Sequence, residues 1–246
     1  MKISFVIPAY NEEKVIADCL TSIQKEIARY SYETEIVVVA NNCSDRTKEI
    51  AVSFAGVRVV DEVRKGIVFA RECGMNHSTG ELLANVDADV LVPEGWLKTV
   101  MDAFTQDTQL VALSGPYIYY DISVFHRALV RIFYYAGYGM YLLNNYVFKV
   151  SGMLQGGNFI VRREAMEKIG GYDTSISFYG EDTDIAKRIR AVGKVRFTFA
   201  LPMYTSGRRL REEGIFKTGL TYAVNYIWPI LFSKPFTKTY RDIREQ

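Results

Sequence analysis

"ELLANVDADVLVPEGWL", residues 81–97, is the stretch on which the reading of this chain turns. Leu82 to Val86 is an apolar run of strand character, and Asp87 and Asp89 follow it one residue apart, with Ala88 between them. A buried charge is costly unless it is paired or bound to a metal. In a strand, residues i and i+2 project to the same side. Two carboxylates so placed present hard oxygen ligands to one divalent ion, Mg²⁺ or Mn²⁺. The same pair also suits a plain turn, with backbone N–H groups satisfying the carboxylates. The local pattern leaves both readings open.

Toward the N-terminus, strand-like and helix-like patterns alternate. Ile3 to Pro8 is a continuous apolar run, as expected of a strand covered on both faces. Asn11 is expected to cap the helix that follows, with Glu12 and Glu13 in its first turn. Ile16, Leu20, Ile23 and Ile27 recur at spacings of one helical face. Glu35 to Val39 reads as the second strand, and Ser44 or Asn42 as the cap of a second helix with Ile50 and Phe54 facing the core. Val57 to Val60 reads as a third strand and Gly66 to His77 as a third helix. Such alternation with short connections implies right-handed crossovers and a mainly parallel sheet. Ligands of open α/β sheets bind at the carboxyl ends of the strands. Asn11, Asn41 and Asp87 all stand at strand ends, so they are expected on one edge.

The second half is less regular. Leu110 to Tyr120 and Gly156 to Arg162 read as strands, Gly180 to Val192 as a helix closed by Gly193, and Lys194 to Leu201 as the next strand. The pattern contains no repeat or linker. It is expected to form one domain over residues 1–210, in two halves (1–115 and 116–210), followed by a C-terminal amphipathic extension (211–246).

Composition sets the outer limits. With 246 residues, 49% hydrophobic and 24% charged, the chain is of ordinary globular type. A formal net charge of +2 gives no footprint for a nucleic-acid partner. Cys19, Cys43 and Cys73 are odd in number and form no CxxC pair, which argues against a disulfide framework and fits a reducing compartment. "MKISFVIPAYNEE" lacks the long apolar core of a secretory signal. A cytoplasmic location is expected.

Six motifs occur in a fixed order: "VIPAYNEE" (6–13), "VVVANNCSDRT" (37–47), "RKGIVFARECG" (64–74), "GELLANVDADVLVPEGWL" (80–97), "GGNFIVRREAMEKIGGYD" (156–173) and "GEDTDIAKRIRAVG" (180–193). Together they resemble glycosyltransferase family 2, over about residues 3 to 195. The resemblance implies a GT-A fold, a Rossmann-like and mainly parallel mixed sheet flanked by helices, here with a helical and aromatic C-terminal extension. It further implies a nucleotide-diphosphate-sugar donor, a divalent metal (Mg²⁺ or Mn²⁺) at Asp87 and Asp89, and direct displacement at the anomeric carbon with inversion.

Residue by residue, the resemblance implies that Pro8, Ala9, Tyr10, Asn11 and Glu12 line the nucleotide pocket. Ala40 and Asn41 stand where the family usually shows paired aspartates. An amide that both donates and accepts replaces an acceptor-only carboxylate there, so a uridine base is not implied. Gly66 and Arg71 match the segment that crosses the nucleotide, and a guanidinium fork suits phosphate oxygens. Asp182 is implied as the base that takes the acceptor hydroxyl's proton, with Glu181 as the alternative. Gly156, Gly157 and Asn158 match the acceptor-side strand. Arg208 and Arg209 fall where the family carries a late basic element facing the diphosphate. The readings set against this one are a non-catalytic nucleotide-sugar-binding or membrane scaffold on the same fold, and a sugar-1-phosphate nucleotidyltransferase. The second would need a glycine- and arginine-rich phosphate loop after the first strand, and "PAYNEE" is not one.

Ile132 to Phe148 runs uncharged between Arg131 and Lys149, short for a membrane span and rich in tyrosine, which favours an interface. Leu220, Val224, Ile227 and Trp228 recur at helical spacing further on, and Pro229 is expected to end or kink that helix. Peripheral contact with the cytosolic face of a membrane, an aromatic core and a homodimer seam all fit this pattern. The first of these would suit a lipid-linked acceptor, and a sugar acceptor is the other class considered.

Overall fold

The computed structural model describes residues 1–176, 180–232 and 236–237. The part of the C-terminal extension at 233–235 and 238–246 lies outside the described residues. β1 (Ile3–Ala9) is buried at every position, as an apolar run covered on both faces requires. α1 (Ile16–Ile27) buries Ile16, Cys19, Leu20 and Ile23 along one face. β2 (Thr34–Asn41), α2 (Thr47–Val52), β3 (Val57–Glu62), α3 (Ile67–Asn76) and β4 (Leu82–Val86) continue the alternation. β5 (Val90–Leu91), α4 (Trp96–Gln106), β6 (Leu110–Ser114) and β7 (Tyr117–Tyr119) follow, and then α5 (Val124–Leu142), which runs into a π-helical turn over Leu143–Val147. The chain ends with β8 (Asn158–Arg162), α6 (Arg163–Lys168), α7 (Glu181–Arg190), β9 (Lys194–Phe197), β10 (Met203–Thr205), α8 (Arg208–Glu213) and α9 (Ile215–Phe232).

Seven strands form one sheet in the order β3-β2-β1-β4-β8-β6-β9. β1 runs parallel to β2 and β4, β2 to β3, and β6 to β9, while β8 is antiparallel to both β4 and β6. The sheet is mixed and mainly parallel with helices on both faces, the expected class. A smaller sheet, β5-β10-β7, stands beside it. Alternate residues of β1 serve opposite layers. Phe5 and Ile7 pack with Ile16, Leu20, Trp96 and Leu97, whereas Val6 packs with Val68, Phe159 and Ile185. Each such buried side chain contributes about 1.5–3 kcal/mol over its exposed state.

Several local expectations are corrected. Asn11 does not cap α1, which begins at Ile16 with Val15 as its N-cap. Asn11 holds a left-handed backbone, φ +50°, where an N-cap is extended. Neither Ser44 nor Asn42 caps α2, whose N-cap is Arg46; Asn42 is itself left-handed at φ +58°. The strand expected over 110–120 breaks at Gly115 and Pro116, where the chain leaves the large sheet for the small one. Proline lacks the N–H a central ladder needs. The last strand of the large sheet stops at Phe197 rather than Leu201. Of the two outcomes expected at Pro229, an end is excluded, because α9 keeps helical backbone to Phe232. The Asp87–Asp89 pair lies on the turn between β4 and β5 rather than within a strand.

Candidate functional site

Because β1, β2 and β4 are parallel, the loops after them open on one edge of the sheet. A cavity of about 510 Å³ lies there. Its walls include Pro8, Ala9, Tyr10 and Glu12 after β1, Asn41 at the end of β2, Gly66 and Arg71 at α3, and Asp87, Ala88 and Asp89 after β4. From the other half come Gly156, Gly157, Glu181, Asp182, Arg208 and Arg209. Asn11 and Asn158 are not among the lining residues. Asn11 ties two loops together, its Oδ1 accepting from the Ser44 N–H at 2.9 Å. Asn158 is fully buried, accepting from Trp96 Nε1 at 3.1 Å and donating to the Leu201 carbonyl at 2.9 Å. It braces β8 rather than facing the cavity.

Arg71 is the centre of the site. It is 1% exposed and reaches from α3 to both halves. One terminal nitrogen donates to Glu181 Oε1, and the other to Asp87 Oδ1 at 3.1 Å and the Gly156 carbonyl at 2.6 Å. Burial works against its charge, but Glu181 and Asp87 outweigh that and hold the guanidinium protonated. Burial likewise pushes the Glu181 carboxyl upward, reinforced by Asp182 and opposed by Arg71. Asp182 is also pushed upward by burial, against the hydrogen bond it accepts from the Thr183 N–H at 2.7 Å. Carboxylates perturbed by burial beside a specific charge partner in a cleft make a functional-site candidate.

Past Arg71, Asp87 Oδ2 accepts from the Tyr117 hydroxyl at 3.2 Å. Asp89 Oδ2 lies 3.4 Å from Arg208 Nη2, which also stands 3.4 Å from each oxygen of Glu12. The Nε atoms of Arg71 and Arg208 are buried with no hydrogen-bond partner among the described residues. Each is a donor whose hydrogen-bonding capacity is unused among the described residues. Asp87 and Asp89 offer hard carboxylate oxygens, and among the described residues no cluster of three or more His, Cys, Asp or Glu could hold a metal alone. This donor set fits Mg²⁺ or Mn²⁺ completed by substrate phosphates and water.

Asn41 has a specific duty. Its Nδ2 donates to the carbonyls of Glu62 (3.0 Å) and Arg64 (2.7 Å), and its Oδ1 accepts from the Gly66 N–H at 2.9 Å. The whole amide is thus spent on the loop between β3 and α3. Asp45 and Thr47 hold the first loop, accepting from the N–H groups of Glu13 and Glu12 respectively. Tyr117 was not expected in the site. It lies past the break at Gly115 and Pro116, and no spacing in the sequence marks it. Burial and the nearby Asp87 push its hydroxyl well above the usual tyrosine range, so it stays a donor.

Known proteins resemble this chain in sequence and in fold. The family described as "Glycosyl transferase family 2" matches residues 4–170, and that described as "N-terminal domain of galactosyltransferase" matches residues 144–208. The glycosyltransferase AglE of Haloferax volcanii is 33% identical over 101 residues, 39% of this chain and 33% of that protein. The glucosyl-dolichyl phosphate glucuronosyltransferase of the same organism is 22% identical over 195 residues, 74% of this chain and 59% of that one. The chain therefore spans one third to three fifths of the length of these relatives. Among solved structures, the mannosyltransferase PcManGT from Pyrobaculum calidifontis, in complex with GDP-Man and Mn²⁺, superposes with a TM-score of 0.65 at 20% identity, covering 87% of this chain and 62% of that one. With more than half its length matched by that family and the same strand–helix architecture, the chain belongs to glycosyltransferase family 2, a family of transferase enzymes, and has the GT-A fold.

Proposed function

We propose that the chain moves a sugar from a nucleotide-diphosphate-sugar to an acceptor hydroxyl or phosphate, with inversion and with a divalent metal. One observation carries the reading: Arg71 ties Asp87, on the donor side, to Glu181, next to Asp182 on the acceptor side, within one cavity. The acceptor oxygen attacks the anomeric carbon on the face opposite the diphosphate. The bond from that carbon to the phosphate oxygen breaks, and its electron pair leaves with the nucleoside diphosphate. Asp182 takes the hydroxyl proton, because Glu181 is engaged by Arg71 and serves to position it. A carboxylate raised by burial suits proton uptake near neutral pH. A phosphate acceptor would need no such base.

A cation held by Asp87 and Asp89 would neutralise the charge building on the leaving diphosphate. Arg208 and Arg209 stand on the same wall, and Arg208 can exchange its contacts with Glu12 and Asp89 for phosphate oxygens. Pro8, Ala9, Tyr10 and Gly66 suit the nucleoside, with Gly156 and Gly157 on the acceptor side. Among the described residues no helix is long and apolar enough to cross a membrane. Exposed aromatic side chains on α5 and α9 support peripheral contact with a membrane surface.

The test is a thermal-shift panel of UDP, GDP, CDP and dTDP, each with and without Mn²⁺, on the native chain and on Asp89→Asn. A metal-dependent rise in Tm with one nucleotide, lost in the variant, is expected. No response to any nucleotide in folded protein would overturn the reading in favour of a non-catalytic scaffold.

A further inference from the structure

Asp87 and Asp89 lie on a turn, and the small sheet is built around that turn. β5 begins at Val90, directly after Asp89, and pairs antiparallel with β10, which pairs in turn with β7. Past β10 the chain reaches Arg208, 3.4 Å from Asp89, while β7 opens with Tyr117, whose hydroxyl reaches Asp87. Packing alone does not fix the Asp87 carboxylate, because its side chain is 35% exposed. Two donors fix it instead. Arg71 holds Oδ1 at 3.1 Å and Tyr117 holds Oδ2 at 3.2 Å, so turning the carboxylate about its Cβ–Cγ bond breaks these contacts. Tyr117 is itself held. Its ring packs against the main hydrophobic core, and its N–H donates to the Tyr134 hydroxyl of α5 at 2.9 Å. That hydroxyl donates to Gln155 Oε1 at 2.7 Å, and the next residue, Gly156, offers its carbonyl to Arg71. The tyrosine and the arginine that grip Asp87 are thus joined through α5 in a closed circuit.

We infer that Tyr117 is a positioning residue: its hydroxyl sets the orientation in which Asp87 meets the divalent cation. The inference rests on the metal-dependent transferase reading and adds a residue to it. Groups that hydrogen-bond a ligating carboxylate account for about 10–100-fold in metal affinity. A partly exposed carboxylate contributes little to the fold through such a bond, so the effect of the hydroxyl falls on the metal rather than on stability. Arg71 cannot replace it, because Arg71 grips the other oxygen and also serves Glu181 and Gly156.

Tyr117→Phe removes the hydroxyl and keeps the ring and its packing. The experiment titrates Mn²⁺ at a fixed concentration of UDP, GDP, CDP or dTDP and reads the midpoint of the rise in Tm, with circular dichroism to show that each variant is folded. Tyr117→Phe should need at least about tenfold more Mn²⁺ than the native chain. At saturating Mn²⁺ the full rise should return, which general damage to the cavity would not permit. Tyr134→Phe keeps the Tyr117 hydroxyl and weakens only its support, so its midpoint should move less. An unchanged midpoint in Tyr117→Phe, a rise that no Mn²⁺ concentration restores, or a larger shift from Tyr134→Phe would each overturn the inference. A metal-dependent native chain beside an unchanged Tyr117→Phe removes the positioning role and keeps the transferase. A native chain whose nucleotide binding ignores Mn²⁺ overturns the metal reading, and this inference with it.

Discussion

The backbone of Gly157 lies so close to the carboxylate of Asp87 that a Cβ at position 157 would overlap the Asp87 carboxyl carbon and the Tyr117 hydroxyl. Neither neighbour is the free end of a flexible chain, since Asp87 is also held by Arg71. Gly157→Ala should therefore shift the Asp87 carboxylate while the core survives. The expected loss is about tenfold in Mn²⁺-dependent nucleotide affinity, about 1.4 kcal/mol. Calorimetric titration beside a circular-dichroism melt checks it. Gly156→Ala is the contrast, because its Cβ would meet Arg71, Glu181 and Asp182 only at 3.7–3.8 Å.

Removal of Arg71 leaves Asp87 and Glu181 facing each other without their shared cation. Breaking a buried pair from one side costs about 3–5 kcal/mol. Arg71→Ala should lose stability of that order in urea unfolding. Arg71→Ala combined with Glu181→Gln should recover part of it, since one unpaired charge is then gone.

Asn41→Asp introduces the carboxylate that the family resemblance implies at this position, yet it should destabilise this protein. The carbonyls of Glu62 and Arg64 would lose their donor and face a negative charge, while Gly66 N–H would keep its acceptor. A buried group left unsatisfied costs about 1–3 kcal/mol. Urea midpoints of the two proteins give the comparison, and an unchanged midpoint would contradict the assigned role.

Acid stability should depend on Glu35. Burial alone would raise its carboxyl, but hydrogen bonds from the Ser4 hydroxyl, the Thr79 amide and Lys2 hold it low, at about 2 against an ordinary 4.5. A pKa depressed by folding contributes stability that is present above pH 4.5 and lost as pH falls toward 2. Glu35→Gln should flatten the Tm profile across that window and lower Tm above it.

β1, β2 and β4 were legible as local apolar runs and α1 by the repeat of one face, whereas β3 carries Arg58, Asp61 and Glu62 and α3 is buried at Val68, Ala70, Arg71, Cys73 and Met75 with no single apolar face. The motif order identified the fold, and of the site residues it implied all but Asn11 and Asn158 line the cavity. What stayed hidden depends on partners distant in sequence. Asn11 has the composition of a cap, but its left-handed backbone is fixed by the loop of Ser44. β8 enters the sheet between β4 and β6, and no periodicity within 158–162 states which neighbours it takes or in which direction. Tyr117 reaches Asp87 only because the chain changes sheets just before it.

The position of β8 also has a consequence for synthesis. β4 is buried at all five positions and finds its second neighbour only in residues 158–162, long after β4 itself has left the ribosome. At about 5–20 residues per second, the nascent chain carries an open, apolar strand edge for several seconds. Such an edge templates pairing with other chains. A product terminated between Ser114 and Asn158 is therefore expected to aggregate, and the native chain to gain from whatever shields that edge during elongation.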